Sequence, residues 1–441
     1  MRGQTLQTEI FTAEQLSDAW PILSVEERSE GFQLLEAAEA DEFFLLLSAA
    51  DQALLVAGLP PTDARRFIRL LAPDDAADVI QSVPQGERTA LLAMLDTPTR
   101  HEVTALLAYA EDEAGGLMNP RFARLRPDMR VDEAIRYLRK QAGNVEAIHY
   151  VYVLEADQRL AGVISFRELF QYPDDSLIRD VMHTDVISVP PDMDQEALAR
   201  LYVEKDLFAI PVVDVEGRIQ GIVTFDDIAD VVREEATEDI QKVGGSAVLP
   251  GPYLEVGATD MILKRAGWLS ILFLGELLTA SAMGYFEDEI ARAVVLTLFL
   301  PLIISSGGNS GSQATTLVIR AMAISEVRLQ DWWRVLRREL LTGLGLGSIL
   351  AVLGLLRVLA GGALGDSYGE HYFVLAITVA LSLVGVVLWG TLMGSMLPFV
   401  MRRLGFDPAS ASAPFVATLV DVTGLIIYFG LASFLLRGTL L

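Results

Sequence analysis

Long apolar runs are confined to the part of the chain that follows residue 262. A helix needs about 20 mostly apolar residues to cross a bilayer. Five runs of the sequence are about that long or longer. The pattern therefore predicts an α-helical membrane domain over residues 263–441, embedded in a lipid bilayer. The five predicted spans are 266–284, 293–319, 340–360, 373–397 and 414–436.

The charges between the spans predict their orientation. Arginines cluster after the second and fourth spans, whereas the segment after the first span is acidic. Cytoplasmic loops carry the excess of Lys and Arg, so we expect the N-terminus inside the cell and the C-terminus outside. Residues 1–40 are polar and acidic and do not resemble a signal peptide. The sequence thus predicts a multi-pass protein of the cell (inner) membrane with cytoplasmic N-terminal domains.

Short amphipathic stretches separated by prolines fill residues 12–115. This pattern predicts an α-helical N-domain of stacked short helices over residues 1–117. Asp74, Asp75 and Asp78 open one of these helices after Pro73. One acid at a helix N-terminus is explained by the helix dipole, but three over one turn repel one another. A divalent ion or a basic partner would relieve that repulsion.

Residues 118–232 contain an internal repeat. Each copy starts at a methionine, passes through Pro-Asp-Met, and ends in a glycine, two apolar residues, Ser or Thr, and an acid three positions on. The pattern of each copy predicts a strand, a helix, a β-hairpin and a second helix. The repeat resembles a tandem pair of CBS domains with an α+β fold, over residues 118–179 and 180–235.

The resemblance to CBS domains implies a nucleotide site. In such pairs the hydroxyl and the acid that end each copy can hold the ribose of an adenine nucleotide such as ATP, although many CBS pairs bind none. The positions that match are Thr224 and Asp227 in the second copy, and Ser165 with Glu168 in the first.

An acidic helical run, DDIADVVREEATED, leads from the repeat toward the membrane half, and a connecting (plug) helix is predicted over residues 236–262. Acids spaced three and four apart on a helix destabilise it. A solvated helix face is the simpler interpretation, but the run holds more such pairs than that interpretation explains.

The charge and the cysteine and histidine content of the chain indicate which classes of ligand it can bind. The net charge is −25, and the first 250 residues hold 46 Asp and Glu against 22 Lys and Arg. A surface of this sign disfavours nucleic acid and favours cations, although acidic surface also keeps a domain soluble. The chain has no cysteine, and its four histidines are scattered. These facts exclude a thiolate site and disfavour zinc and an enzyme such as an intramembrane protease.

Asp421 lies inside the last predicted span, where a carboxylate costs roughly 2.5–3.5 kcal/mol on insertion scales. The second span carries Asn309 and Gln313 within the motif GGNSGSQ. Its glycines weaken a helix and favour either broken backbone around a cavity or close helix packing. With Glu276 of the first span, these side chains are predicted at one depth, roughly 10–17 Å from the cytoplasmic end. That coincidence predicts a polar pathway.

Carboxylate, amide and hydroxyl oxygens without sulfur or imidazole select hard cations. Mg²⁺ keeps several waters and uses one or two carboxylates, so two copies of Asp421 in a homodimer would suit it. A carrier or efflux system for another divalent cation, such as cobalt or manganese, is the alternative. An anion channel is disfavoured because a pore acid has the wrong sign.

Taken together, these motifs resemble the MgtE family of magnesium channels and transporters. The matching features are LAPDDAAD in the N-domain, the CBS pair, EEATED in the connector, and GGNSGSQ followed by DVTG in the membrane domain. The resemblance implies a homodimer that takes up Mg²⁺ and is not an enzyme. It also implies closure of the pore when internal Mg²⁺ bridges the acidic domains.

Site residues follow from the pathway and from this resemblance. The residues expected to line the pore and to set ion selectivity are Asp421, Asn309, Gln313, Ala417 and Asp407. The residues expected to bind metal are Asp421 and Asp407, together with the regulatory acids Asp74, Asp78, Asp206, Asp227, Asp230, Glu235, Glu238 and Asp239.

Overall fold

The computed structural model describes residues 12–251, 253–254, 256–364, 368 and 371–437. The first 11 residues of the predicted N-domain, and part of the loop between the third and fourth predicted spans, lie outside these ranges. The chain forms two compact units, one ending at Arg233 and the other beginning at Glu234.

The described part of the N-domain, from residue 12 onward, consists of eight short helices, which confirms the predicted stack of short helices. All but the third of these helices begin at a proline or at a capping side chain. The Ser24 hydroxyl, for example, accepts a hydrogen bond from the Glu27 N–H. Phe32, Phe44 and Phe67 form an aromatic core with ring centroids 5.0–6.4 Å apart. The helices are α1 Ala13–Ala19, α2 Val25–Gln33, α3 Ala37–Leu46, α4 Ala49–Gly58, α5 Pro61–Ile68, α6 Pro73–Gln81, α7 Gln85–Leu92 and α8 Thr97–Leu106.

The repeat folds as two similar halves, which confirms the predicted α+β pair. Strands β2 and β3 form an antiparallel hairpin beside the parallel β1, and β4 and β5 form the second hairpin. The elements are α9 Ala114–Leu117, β1 Arg124–Leu125, α10 Val131–Gln141, β2 Tyr150–Leu154, β3 Leu160–Ser165, α11 Phe166–Leu169, α12 Ile178–Val181, α13 Gln195–Lys205, β4 Ala209–Val213 and β5 Ile219–Thr224.

The hairpin of each copy pairs with the segment at the start of the other copy. Val163 of β3 bridges to His183, and Ile222 of β5 bridges to Asn119. Glycine is required beside the bridge between Val163 and His183, because a β-carbon on Gly162 would lie 2.7 Å from the His183 carbonyl oxygen. The two copies therefore fold as one body.

Helix α14, Phe225–Val243, differs from the predicted boundaries. A single helix runs through the predicted boundary at residues 235–236, and the predicted connecting helix over 236–262 is wrong in extent. The helix stops where Gly244 and Gly245 follow it, and Gly245 has a φ of +73° that a side chain would oppose. The chain then turns, with the Leu249 N–H donating to Gln241 Oε1 at 2.7 Å.

The second unit continues with a bundle of long helices in which α19 packs against α17, α18 and α20. The helices are α15 Ala258–Tyr285, α16 Glu287–Arg292, α17 Leu300–Ala323, α18 Trp332–Leu364, α19 Tyr372–Arg403 and α20 Ala413–Leu435.

The glycines of α17 serve packing and do not break the helix. The helix is continuous over Leu300–Ala323, so the glycines favour close packing between helices and not broken backbone around a cavity. A β-carbon on Gly394 of α19 would lie 2.1 Å from the Gly311 carbonyl oxygen, and one on Gly390 would lie 2.3 Å from that of Gly307. Two pairs of facing glycines thus bring the backbones of α17 and α19 into contact.

Four helices of the described chain are long and apolar enough to cross a membrane, at Ala258–Tyr285, Leu329–Ala363, Tyr372–Arg403 and Ala413–Leu435. Helix α17 is not among them, because the polar motif GGNSGSQ lowers its hydropathy. The count of five spans therefore stays a prediction.

Candidate ion pathway and regulatory acids

Asp421 lies on α20 at the contact with α17. A β-carbon on Gly308 would lie 3.8 Å from Asp421 Oδ1 and 3.5 Å from the Ala417 β-carbon. Ala417 and Asp421 are four residues apart, so both face the same point of α17. The missing side chain at Gly308 leaves room for the carboxyl group between the two helices.

The start of α20 is held in place by Ser412. Its hydroxyl accepts hydrogen bonds from the Phe415 N–H at 3.3 Å and from Trp268 Nε1 of α15 at 3.1 Å. Ser412 itself is fully buried. This N-cap ties α15 to α20 and so positions Asp421, two turns further along the helix.

The predicted pore residues do not share one level. The Ser312 hydroxyl of α17 donates to the Ala413 carbonyl at 3.1 Å, which places Gln313 beside the start of α20. Asp421 is eight residues further along α20, about 12 Å at 1.5 Å per residue. The expectation of a common depth is therefore wrong for Gln313. Asn309 follows Gly308 and lies between the two levels, so the polar groups form a column.

Polar side chains follow one exposed face of α17. Asn309, Gln313 and Thr316 are exposed in the single chain, and their spacing of four and three residues places them on one side of the helix. Asn309 Nδ2 has Ser305 Oγ at 3.4 Å. Such a face is costly against lipid.

Glu276 of α15 lies close enough to Asp421 for their carboxyl groups to interact electrostatically. The sequence placed Glu276 near this depth but did not include it among the site residues. The membrane half therefore offers two adjacent carboxyl groups where the sequence reasoning counted one.

Asp407 precedes α20 in the loop from α19. Its Oδ1 accepts from the Ala409 N–H at 2.8 Å, and its Oδ2 accepts from Lys242 Nζ of α14 at 2.7 Å. Lys242 also forms an ion pair with Glu238, one turn earlier on α14. Two acids predicted to bind metal are thus joined by a lysine. Burial lowers the pKa of Lys242, but the hydrogen bonds that its ammonium group donates to Asp407 and Glu238 outweigh that effect and raise the pKa overall.

A second group of acids lies in the first unit, where α6 meets the CBS pair. Asp74 is 7% exposed, and Asn119 Nδ2 donates to its Oδ1 at 3.0 Å and to Glu146 Oε2 at 2.8 Å. Asn119 is completely buried. The sequence reasoning missed both Asn119 and Glu146, because they are brought to Asp74 by folding and carry no local signal.

Burial sets the protonation of this group. It raises the pKa of Asp74 well above the usual range of a carboxyl, and the charges of Asp227, Asp75 and Glu146 add to the rise. Burial also raises the pKa of Asp227 to about 7, with Asp226 and Asp75 contributing and the Thr224 hydrogen bonds opposing. Burial, with the repulsion between neighbouring acids added to it, favours the protonated form of these carboxyl groups.

The other regulatory residues are distributed differently. Asp230 forms an ion pair with Arg233 at 2.8 Å and interacts with Asp75. Asp206 ends α13 in the left-handed conformation, with a φ of +52°. Asp78 is exposed on α6, and Glu235 and Asp239 lie on α14 near Glu238. Among the residues described, no three His, Asp or Glu side chains are arranged to hold a metal ion.

The predicted nucleotide residues act as helix caps in this structure. Thr224 Oγ1 donates to Asp227 Oδ2 at 2.6 Å at the start of α14. Ser165 Oγ donates to Glu168 Oε2 at 2.7 Å, and His183 Nε2 lies 3.0 Å from Glu168 Oε1. Burial opposes ionisation of Glu168, but its hydrogen bonds with His183 and Ser165 lower its pKa to about 2. The hydroxyl and acid of each copy are thus already paired.

Comparison with protein families matches most of the chain. A model of the MgtE divalent cation transporter matches residues 300–431, and one of the MgtE intracellular N domain matches residues 12–112. CBS domain models match residues 114–175 and 178–234.

Curated relatives align over most of their length. The magnesium transporter MgtE of Thermus thermophilus is 42% identical over 365 residues, which cover 82% of this chain and 79% of the relative. That of Enterococcus faecalis is 36% identical over 76% of this chain and 72% of its own.

Among solved structures, the cytosolic domain of the Mg²⁺ channel MgtE in complex with ATP is 40% identical. The aligned region covers 50% of this chain and 90% of the solved chain, with a TM-score of 0.47.

Proposed function

The chain belongs to the MgtE family of divalent cation transporters, and we propose from this that it carries Mg²⁺ into the cell through a pore formed by two copies. It is a transporter and not an enzyme. Its relatives in Thermus thermophilus, Enterococcus faecalis and Bacillus subtilis are magnesium transporters. The pore residues of the proposal are Asp421, Ala417, Asn309, Gln313 and Asp407.

One observation carries the proposal: the Asp421 carboxyl lies in the α17–α20 contact beside Gly308, at the top of a column of amide and hydroxyl groups. The described side chains assigned to this column offer carboxylate, amide and hydroxyl oxygens as ligands. Such ligands favour hard cations, and Mg²⁺ retains enough water to pass with few protein contacts.

A homodimer is supported by the polar face of α17. Asn309 and Gln313 are exposed in the single chain, and amides in the hydrocarbon region usually face protein or a water-filled cavity. A second copy placed against this face would enclose the column and bring two Asp421 residues to one axis.

The directions of the helices support five spans. Contacts of Trp268 with Ser412 and of Gly275 with Thr418 make α15 parallel to α20. The facing glycines make α17 parallel to α19, and the Ser312–Ala413 and Gly308–Ala417 contacts make it antiparallel to α20. Five alternating spans give these relations. In the proposed topology the first unit is cytoplasmic and the C-terminus is outside the inner membrane.

Regulation is proposed to use the acids of both units. In the first unit, Asp74, Asp227 and their neighbours repel one another at neutral pH, and internal Mg²⁺ bound among them would favour the compact arrangement. A ligand shifts such an equilibrium only by its different affinity for the two states. Asp78, Asp206 and Asp230, with Glu235, Glu238 and Asp239, complete the proposed sensor.

An adenine nucleotide is the proposed ligand of the CBS pair, at Thr224, Asp227 and Ser165. Because Asp227 also belongs to the acid group, Mg²⁺ and a nucleotide would act on the same residue. Binding would exchange the present Thr224–Asp227 hydrogen bond for contacts with a ribose.

The full chain in vesicles containing a Mg²⁺ indicator tests the transport proposal. Asp421→Asn keeps the shape of the side chain and removes its charge, so we expect Mg²⁺ uptake to fall roughly 10- to 100-fold. Glu326→Gln, an exposed acid in the α17–α18 loop, is the control and should transport normally. Unchanged uptake by Asp421→Asn would refute the pore assignment. Faster flux of cobalt or manganese than of Mg²⁺ in the same vesicles would favour the alternative cation.

A further inference from the structure

A cavity of about 460 Å³ opens between the start of α18 and the last turns of α19. Phe399 of α19 is buried and packs against Val318 and Met322 of α17, so it closes the inner side of the cavity. Trp332 and Val400 are each about half exposed, so the cavity opens at the surface of the bundle. The apolar lining residues are Leu329, Trp332, Met396, Phe399 and Val400.

The cavity lies at one end of two helices that are long and apolar enough to cross a membrane. Trp332 opens α18 and Arg403 ends α19, which places the cavity where the hydrocarbon gives way to the lipid headgroups. Two exposed tryptophans, Trp332 and Trp333, lie at this end with ring centroids 5.6 Å apart. Tryptophan is enriched at membrane–water interfaces, which supports this level.

The surroundings of the cavity are positively charged. Residues 320–339 and 402–403, which flank it, carry seven arginines and three acids. Arg334 forms an ion pair with Asp331 at 2.8 Å. Arg403, which lines the cavity, is exposed and has no ion pair or side-chain hydrogen bond within the described part of the chain. A guanidinium group is therefore available at the rim of an apolar cavity.

An anionic phospholipid has the two properties that this cavity requires of a ligand. Its acyl chain can lie against Phe399 and Val400, and its phosphate oxygens match the fork of N–H donors of Arg403. Gln330 also lines the cavity and can hydrogen-bond headgroup hydroxyls. Basic pockets between spans on the cytoplasmic side suit anionic headgroups. A zwitterionic lipid also carries a cationic group, which the surrounding arginines would repel.

The cavity uses other helices than the surface assigned to the second copy of the chain. That surface is the polar face of α17 with Asn309 and Gln313, whereas the cavity is bounded by α18 and α19. Its walls are apolar, and at the end of a membrane span the neighbour of an exposed apolar surface is lipid. Lipid is therefore the occupant that the position and the charge of the cavity favour.

We propose that this cavity is a binding site for an anionic phospholipid of the cytoplasmic leaflet. The phosphate binds Arg403, and an acyl chain lies against Phe399, Val400 and Trp332. The site is separate from the ion pathway, and its assignment depends on the proposed function only for the choice of leaflet. The bound lipid holds the start of α18 against the end of α19, so we expect it to stabilise the protein against unfolding.

The test measures lipid binding to the detergent-solubilised full chain by native mass spectrometry and by thermal unfolding. EDTA is present so that Mg²⁺ does not bridge headgroups. The probes are dioleoyl phosphatidylglycerol, which is anionic, and dioleoyl phosphatidylcholine, which is zwitterionic. The wild type should bind phosphatidylglycerol more tightly and unfold at a higher temperature with it. Equal affinity and equal stabilisation by the two lipids would overturn the proposal.

One pair of variants tests the role of the guanidinium group. Arg403→Gln removes the charge and keeps most of the length of the side chain, so phosphatidylglycerol should bind roughly fivefold more weakly. Arg334→Gln removes an exposed arginine from the same end of the bundle without altering the cavity lining, and it should bind like the wild type. Normal binding by Arg403→Gln, or an equal loss in both variants, would overturn the site.

A third variant tests the cavity without changing the charge. Val400→Trp fills the cavity from a half-exposed position, where the larger side chain has room at the surface. It should fold like the wild type and bind phosphatidylglycerol more weakly. Normal binding by this variant would refute the cavity as the seat of the acyl chain.

Glycerol 3-phosphate distinguishes a lipid from a soluble anion, because it carries the phosphate without acyl chains. At the same concentration it should neither stabilise the wild type nor displace phosphatidylglycerol. Displacement would show a site for soluble anions and would overturn the lipid assignment. None of these readouts requires ion transport, so the uptake result for Asp421→Asn leaves the lipid proposal unchanged, and failure of the lipid proposal leaves the pore assignment unchanged.

Discussion

Lys242 Nζ lies 2.7 Å from Asp407 Oδ2, and the same ammonium group contacts Glu238. Residues 242 and 407 are 165 positions apart in the chain. The lysine therefore holds the end of α14 against the loop that precedes α20. Its positive charge neutralises Glu238 and Asp407, as a bound cation between the two acids would.

Replacing this lysine should make the second unit depend on divalent cations. Lys242→Met leaves Glu238 and Asp407 facing each other without a positive charge, and we expect a loss of roughly 1 kcal/mol in the free energy of unfolding without Mg²⁺. Millimolar Mg²⁺ should restore most of it by bridging the two acids. Thermal unfolding of the full chain in detergent, with and without Mg²⁺, measures both effects.

The control for that variant is Lys205→Met, which removes a lysine paired with Glu204 on the exposed end of α13. It should unfold like the wild type at each Mg²⁺ concentration. An equal response of both variants to Mg²⁺ would contradict the specific role of Lys242.

Asn119 should be required for the contact between α6 and the CBS pair. Its buried amide donates to both Asp74 and Glu146, so Asn119→Ala leaves two acids without their shared donor. We expect a loss of about 1–3 kcal/mol in the free energy of unfolding, partly recovered by Mg²⁺. Asn144→Ala, at an exposed loop position, is the matched control and should change stability little. Equal stability of the two variants would argue against the amide bridge.

The stability of the first unit should fall as the pH rises in the absence of divalent ions. The pKa of Asp227 is about 7 in the folded chain against 3.8 for an ordinary aspartate, so the folded state keeps its proton where the unfolded state has lost it. Stability therefore decreases from about pH 4 to about pH 7 and then levels off.

Asp227→Asn removes this titration and should flatten the dependence of thermal unfolding on pH between 5 and 8. Asp128→Asn, at an exposed position in the first CBS copy, should behave as the wild type. A wild-type curve that rises with pH over this range would be inconsistent with the raised pKa.

The glycine contacts of α17 and α19 should not tolerate a side chain. Gly394→Ala places a β-carbon 2.1 Å from a backbone carbonyl oxygen, so the helices must separate, at a cost of roughly 1–3 kcal/mol. Gly345→Ala on α18 meets no atom within 4 Å and serves as the control. The yield and thermal stability of the detergent-solubilised protein should fall for the first variant alone.

Several features of the fold were predictable because their causes are local. Proline punctuation predicted the stacked short helices of the N-domain, and the internal repeat predicted the paired hairpins. The connector was predicted less well. Its charge pattern indicated a helix, but the stop at Gly244 and Gly245 depends on a left-handed backbone at Gly245, which composition alone did not reveal.

The candidate site was predictable by residue type and less so by position. Asp421, Asn309 and Gln313 stand out because polar side chains are rare in apolar runs. Their levels differ from the prediction, since span ends read from hydropathy carry errors of several residues. The actual register is set by contacts such as Ser312 with Ala413.

The sequence by itself determined the domain classes, the acidic character of the N-terminal half and an all-oxygen chemistry suited to a hard cation. These follow from composition, apolar length and periodicity, which the chain carries in each local stretch. Only the tertiary structure decided the partners: Glu276 with Asp421, Lys242 with Asp407, and Asn119 with Asp74. Such pairs depend on how far one helix slides along another, and close contacts at glycines such as Gly275 set that distance through packing.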